Sequence, residues 1–369
     1  MAIATIPTRA FSEQTINFRN IIINGDMSIA QRGTSATGLG NGDNGYHTCD
    51  RWRFAENGSP TWEFTQTQST DVPTGQGFAK SLKMDCTTAD TSLATNDMCR
   101  IQQRFEGQNV QYLKYGTSSA QSTTVSFWVK SNKTGNYNVS LENVDQNRII
   151  GNTYTINSAD TWEKKTITFA GDTSSSFDND NANSLTIYWG LLGGTDRVGG
   201  DSSSWGANAD NKNVAGQTVN LADSTSNEWY ITGVQLEAGT TASDFEFLPR
   251  DVNLERCQRY YFLKANHNDG SSTELIGSGL YYSSSIFKAV VPFPITMRTT
   301  PSLDQASGTD YYEIRRSSGA DKVNDFSIQN QGKTGAVLDN NSEASGTSGV
   351  AAWVRTDNAN AYIAFDAEL

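Results

Sequence analysis

Residues 124–131, Thr-Val-Ser-Phe-Trp-Val-Lys-Ser, carry the pattern that decides the fold. Val125, Phe127 and Val129 fall on one side, and Ser126, Trp128 and Lys130 on the other. That two-residue period marks a half-buried strand. The same alternation returns at Trp62 and Phe64, at Tyr137, Val139 and Leu141, and at Leu185, Ile187, Trp189 and Leu191. Between Trp229 and Leu236 apolar residues occupy both sides, as in a strand covered on both faces and central in its sheet. From Ile21 to about Glu237 each such segment ends in a cluster of Gly, Ser, Asn or Asp. Short strands at this spacing predict a jelly-roll β-sandwich.

Composition agrees. The chain has 369 residues, 36% hydrophobic and only 18% charged, enough for two β domains whose polar faces are Thr, Ser and Asn. The expected organisation is an N-terminal docking arm over 1–18, a large jelly-roll sandwich over 19–248, a linking helix over 249–262 and a smaller antiparallel β-sandwich over 263–369. The net charge of −12 argues against nucleic acid, which needs clustered Lys and Arg. No run of about 18 apolar residues is present to insert in a membrane. The first residues lack the apolar core of a secretory signal, so synthesis in a cytoplasm is expected. Cys49, Cys86, Cys99 and Cys257 show no C-x-x-C spacing and read as buried thiols, with one Cys86–Cys99 bridge left open.

The best helix follows Pro249. Asp251 is the expected N-cap, and Leu254, Cys257 and Tyr261 make one apolar stripe, with Tyr260 beside it. About ten residues are too few to be stable alone, so the stripe is expected to pack between domains or subunits. Long irregular stretches at 33–45, 177–184 and 193–219 exceed ordinary hairpins and are expected to be functional or ordered by a partner.

Catalytic chemistry is sparse. The two histidines, His47 and His267, lie in different predicted domains, so neither a nucleophile relay nor a histidine metal site assembles. No phosphate loop or dinucleotide fingerprint occurs. Asp26, Asp50, Glu142, Asp172 and Asp201 read as solvated loop acids, which leaves a polysaccharide-degrading pair as the enzymatic alternative. No cofactor is required, although the turns at Asp26 and Asp43 carry oxygen ligands suited to a structural calcium. Among the aromatics, Trp52, Trp162, Trp189 and Trp229 read as core. Trp205, Trp62, Tyr46 and Trp128 read as stacking platforms for a glycan.

The segments Asn20-Ile-Ile-Ile-Asn-Gly-Asp-Met-Ser-Ile-Ala-Gln-Arg-Gly33 and Cys49-Asp-Arg-Trp-Arg-Phe54 resemble the start of a family of phage tail-fibre and virion-surface proteins. Phe127-Trp-Val-Lys-Ser131, Thr161-Trp-Glu163, Trp229 to Gly239 and Phe245-Glu246 follow in the family's order, which is also similar to carbohydrate-binding jelly rolls. Arg256-Cys-Gln-Arg-Tyr-Tyr261, Pro292, Met297-Arg-Thr-Thr-Pro301 and Asp366-Ala-Glu-Leu369 resemble the distal region of phage tail proteins, including those of cyanobacterial phages. The resemblance spans about 19–369. It implies a non-enzymatic virion-surface protein, usually trimeric, that contacts a host-surface glycan and docks on other virion proteins through its arm. With no long stalk ahead of residue 19, a head fibre, capsid decoration or tail adaptor protein stays open beside a tail fibre.

Overall fold

The alternating segments pair into two antiparallel sheets that share one core. In the first sheet the order is Ser35–Leu39, Glu63–Ser69, Ser81–Thr88, Glu228–Ala238, Thr123–Ser131 and Glu163–Phe169. In the second it is Gly206–Ala207, Arg148–Ile156, Gly135–Asn143, Asn183–Gly193, Met98–Glu106, Arg53–Asn57 and Gly45–Tyr46. The chain passes repeatedly between the sheets, from Ser81–Thr88 to Met98–Glu106 and on to Thr123–Ser131, so this is a jelly-roll sandwich. The computed structural model describes residues 18–267 and 273–369; the expected docking arm lies outside the described residues apart from Phe18.

Residues of one parity in each strand meet in the core. Val125, Phe127 and Val129 are fully buried there. Phe127 stands edge-on to Trp189 with ring centres 5.7 Å apart, and Trp52 lies 5.5 Å from Trp189. Burying each such side chain contributes about 1.5–3 kcal/mol. Glu228–Ala238 is central, pairing with Ser81–Thr88 and Thr123–Ser131. All four cysteines are free and buried. Cys86 and Cys99, on strands of opposite sheets, are both free, so the bridge left open from their spacing is not formed.

A second sandwich follows. Its small sheet runs Tyr261–Asn266, Tyr362–Asp366, Ser302–Gln305. Its large sheet has seven strands, ordered Gly319–Val323, Tyr312–Arg316, Ala351–Thr356, Leu275–Ser283, Ile286–Pro292, Gly335–Asn340 and Ser327–Gln329. Phe262, Phe287, Tyr312, Ile314 and Phe365 pack between them in a separate core.

The helix is Arg250–Gln258; its start lies two residues before the one an Asp251 N-cap implies, and it ends at Gln258 rather than 262. Pro249, not Asp251, holds the N-cap position; its preset φ favours the helix start, while Asp251 sits in the first turn and accepts from the Val252 N–H. Tyr261 falls beyond the helix, in the next strand. Cys257, Tyr260 and the partly buried Leu254 pack on Ile23, Ile29 and Leu369. The stripe is therefore covered within one chain, at the junction of the two sandwiches.

That junction is held by charge. The fully buried Arg51 pairs with Glu368, donates to the Arg104 carbonyl at 2.7 Å and lies 3.5 Å over the Tyr260 ring. Arg32 binds Asp366 at 2.9 Å and Glu368 at 3.3 Å. Arg298 donates to the carbonyls of Ala367 and Glu368, each at 2.7 Å. Arg259 makes two 2.7 Å bonds to the buried Glu106 carboxylate.

Glu368→Ala leaves Arg51 buried without a counter-charge, and denaturant unfolding is expected to show a loss of about 3–5 kcal/mol. A second expectation concerns acid. Burial raises the Glu313 carboxyl, but hydrogen bonds from Lys322, Arg315 and Arg355 outweigh it and hold the pKa at about 2, below its ordinary 4.5. The stability this contributes is complete above pH 4.5 and is lost as pH falls toward 2. Glu313→Gln is expected to flatten that loss in acid melts monitored by circular dichroism.

Candidate functional site

A cleft of about 320 Å³ opens between the outer face of the small sheet and the first sandwich. Strand alternation builds one wall. In Tyr362–Asp366, Ile363 and Phe365 enter the second core, while Tyr362 and Asp366 line the cleft. Tyr261, Leu263 and Asp304 fall on the same side through the pairs Tyr261↔Asp366, Leu263↔Ala364 and Asp304↔Ala364. A bulge between Leu263 and Ala265 then brings Asn266 to this wall opposite Tyr362. The other wall is Gln31, Arg32, Tyr46 and His47.

The lining is rigidly positioned. Arg32 lies 3.5 Å over the Tyr261 ring and 5.5 Å from the Tyr46 ring, clamped from behind by its two acids. The Tyr261 and Tyr362 hydroxyls both donate to Asp304 at 2.9 Å. Burial, then the Asp304 charge, pushes Tyr362 up to about 12 and raises Tyr261 as well, so both phenols remain donors. Gln31 splints the walls: its amide donates to Asp50 and to the Tyr261 carbonyl at 2.7 Å, and its oxygen accepts from the Leu263 N–H at 3.1 Å. Burial lowers the His47 pKa. Its Nε2 donates to the Asp43 carbonyl at 2.8 Å, which leaves Nδ1 as an acceptor in the neutral ring. Half-buried rings beside fixed amide, guanidinium and imidazole groups suit a polar ligand with flat apolar faces.

The expected platforms are dispersed. Tyr46 lines the cleft, and its hydroxyl donates to the Leu369 carbonyl at 3.1 Å. Trp62 is fully buried, its ring 5.4 Å from Phe64. It belongs to the core and offers no stacking surface, because its strand turns that parity inward. Trp205 is half-buried, packed on the first core edge-on to Tyr115, and donates to the Ala170 carbonyl at 2.6 Å. Trp128 lies half-buried on the outer face of the first sheet, opposite Thr232 and Lys164. Trp162, expected in the core, is half-buried instead: its Nε1 donates to Asp71 at 2.9 Å and its ring lies 6.1 Å from Tyr230.

The acids are also redistributed. Asp50 and Asp172 are buried rather than solvated. Burial raises Asp50 to about 6 against the opposing pull of Arg32 and Gln31, and Asp172 pairs with Arg148 at 2.7 Å. Asp26 is used by Ser28 and Asn253, and Asp43 accepts from the Gly40 N–H. Among the described residues no three His, Cys, Asp or Glu side chains group as metal ligands. Arg32, Asn266, Asp304 and Tyr362 were not singled out from sequence, and His47 was weighed there only for a relay or a metal site. For Tyr362 and Asp366 the signal was present, as the polar parity of a strand whose other parity is Ile and Phe.

No protein-family model and no curated protein matches the chain. Among solved structures it is similar to the enzymatically active domain of bacteriophage CBA120 tailspike protein 4, at 13% identity over 60% of this chain, with a TM-score of 0.31. The match spans 21% of the tailspike chain. A CBM4 structure is 14% identical, covering 58% of this chain and 97% of its own, with a TM-score of 0.27. The family 11 carbohydrate-binding module from Clostridium thermocellum, in complex with a mixed-linked tetrasaccharide, is 10% identical over 57% of this chain and 99% of its own, with a TM-score of 0.28.

Trp62→Ala is expected to cost about 3–5 kcal/mol in denaturant unfolding, as a core truncation does. Unchanged stability in the Trp62→Ala protein would contradict the core placement.

Proposed function

We propose that this chain is a bacteriophage virion-surface protein, a fibre or knob, that attaches to the host by holding a cell-surface glycan in the junction cleft without catalysis. The observation that carries the reading is the cleft itself. Tyr362 and Tyr46 present ring surface, and Arg32, Gln31, Asn266 and His47 present directed polar groups across about 320 Å³. That volume lies at the low end of small-ligand pockets, with room for roughly one or two sugar rings. The sequence resemblance supplies the virion setting and the homotrimer. Three chains side by side convert weak single-site contacts into firm attachment through effective concentration. Asp304 is engaged by two phenols and Asp366 by Arg32, so both carboxylates serve as acceptors that hold the wall.

A structural role as a decoration or adaptor subunit is favoured by a different observation. Leu280, Tyr282, Val290 and Trp353 are all exposed, and strand pairing sets them together on the outer face of the large C-terminal sheet. Apolar faces of this kind mark contacts with other chains. On that reading, particles lacking the protein are fragile yet still adsorb.

Titration calorimetry of the full chain against host envelope polysaccharide is expected to show binding that Tyr362→Ala weakens by about tenfold or more, with no release of reducing ends. Unchanged affinity in a folded Tyr362→Ala variant would remove the cleft from the reading. Reducing ends released by the wild type and not by Asp304→Asn would replace binding with hydrolysis.

A further inference from the structure

The outer face of the second sheet holds a feature the cleft does not use. Cross-strand pairing sets Tyr46, Arg53, Gln102 and Tyr188 in one row, since Tyr46 is opposite Arg53, Arg53 opposite Gln102 and Gln102 opposite Tyr188. Arg100 and Arg104 flank Gln102 along its own strand, on the same face. Three arginines thus surround one glutamine.

None of Arg53, Arg100 and Arg104 forms an ion pair with an acidic side chain among the described residues, in a chain whose net charge is −12. Arg100 lies 4.6 Å over the Tyr188 ring and Arg104 donates to the Leu369 carbonyl at 2.9 Å, but the Nε of each has no partner. Gln102 is 1% exposed, and neither its amide nitrogen nor its oxygen is hydrogen-bonded. Two acids on this face, Glu106 and Glu142, are engaged elsewhere. Glu106, next along the strand beyond Arg104, is held by Arg259 and Tyr260, and Glu142, two strands away, accepts from Asn208. Burial, then the charges of Arg104 and Arg100, lowers the Arg53 pKa to about 10. Like charge without an acidic side-chain partner and an unpaired buried amide both cost stability; against this the described residues set the Tyr188 ring under Arg100 and the Leu369 oxygen on Arg104.

We propose that Arg53, Arg100 and Arg104, set around Gln102, form an anion-recognition strip that takes the carboxylate or sulfate groups of an acidic polysaccharide whose neighbouring rings lie in the junction cleft. The inference rests on the glycan reading and names the class of glycan. Tyr46 joins the two surfaces, lining the cleft while standing opposite Arg53. Arginine suits the task because its planar fork grips a carboxylate or sulfate through two parallel hydrogen bonds. Arg100 and Arg104 are four residues apart, about 13 Å along a strand. That span fits acidic groups spaced by a sugar repeat and is short of the extended basic surface a nucleic acid requires.

The test compares hexagalacturonate with its carboxyl-reduced counterpart by calorimetry on the full chain, using wild type, Arg53→Gln/Arg100→Gln and Tyr362→Ala, with inorganic tripolyphosphate and oligothymidylate as further probes. Wild type is expected to bind the acidic oligomer about tenfold more tightly than the reduced one. High salt, about 0.5 M, should abolish that preference. The double variant should lose it while binding the reduced oligomer as before, and its melting temperature should be equal or higher because like-charge repulsion falls. Equal binding of the two oligomers by wild type, or a preference surviving in the double variant, overturns the strip. Tighter binding of oligothymidylate than of hexagalacturonate overturns the polysaccharide assignment. If neither oligomer binds but tripolyphosphate binds wild type and not the double variant, the glycan reading falls and the anion strip stands. If tripolyphosphate also fails to distinguish them, both fall.

Discussion

The arrangement of the two sandwiches depends on the ion pair between Arg51 and Glu368. Arg51 sits in the left-handed backbone region at a φ of 72° and has no exposed surface. Both the strained backbone and the desolvated charge are costly alone. They are tolerated because the guanidinium meets Glu368, the Tyr260 ring and a backbone carbonyl together. A buried ion pair contributes little net stability compared with apolar packing, but it admits few alternative geometries. Its effect is to fix where residues 366–369 lie on the first sandwich. The final strand, the helix end and the Gln31–Arg32 segment take their places around it, and the cleft is the space that remains.

Much of the fold was legible because it follows from local periodicity. Thr124 to Ser131 alternates as the strand it is, and the central position of Trp229 to Leu236 follows from apolar residues on both faces. The helix was visible too, its N-cap displaced by two residues because Pro249 starts it through its preset φ. The candidate site was much less legible. Trp62 and Trp162 occupy similar positions in similar short segments, yet one is core and the other half-exposed on the outer face. What separates them is which parity of each strand meets the opposite sheet, and that is settled by pairing partners far away in sequence. Arg32 meets Asp304 and Tyr362 from more than 250 residues away, and those two are themselves 58 apart, so no local pattern announces them.

The surface follows a common logic of covered and uncovered faces. The long 193–219 stretch, which sequence marked as too long for a hairpin, folds back over the second sheet, where Val214 packs with Met98, Ile149 and Tyr188. Gly190 permits this approach, since a Cβ there would lie 2.6 Å from the Val214 side chain. At the other end of the same face the C-terminal residue accepts a hydrogen bond from Arg104, which stays half-exposed. Between these two contacts the arginines and Tyr46 remain half-exposed. The open surface of the first sandwich is therefore defined by chain segments remote from the strands that present it.

The Arg51–Glu368 contact joins residues 317 positions apart, and this bears on the order in which the molecule matures on the ribosome. Every strand of the first sandwich has been synthesised by residue 238, so its core can close early. Arg32 and Arg51, however, lack their ion-pair partners Asp366 and Glu368 until residues 366–369 emerge, although Asp50 already acts on Arg32. Over more than a hundred residues of further synthesis the sandwich carries Arg32 and Arg51 without their acids.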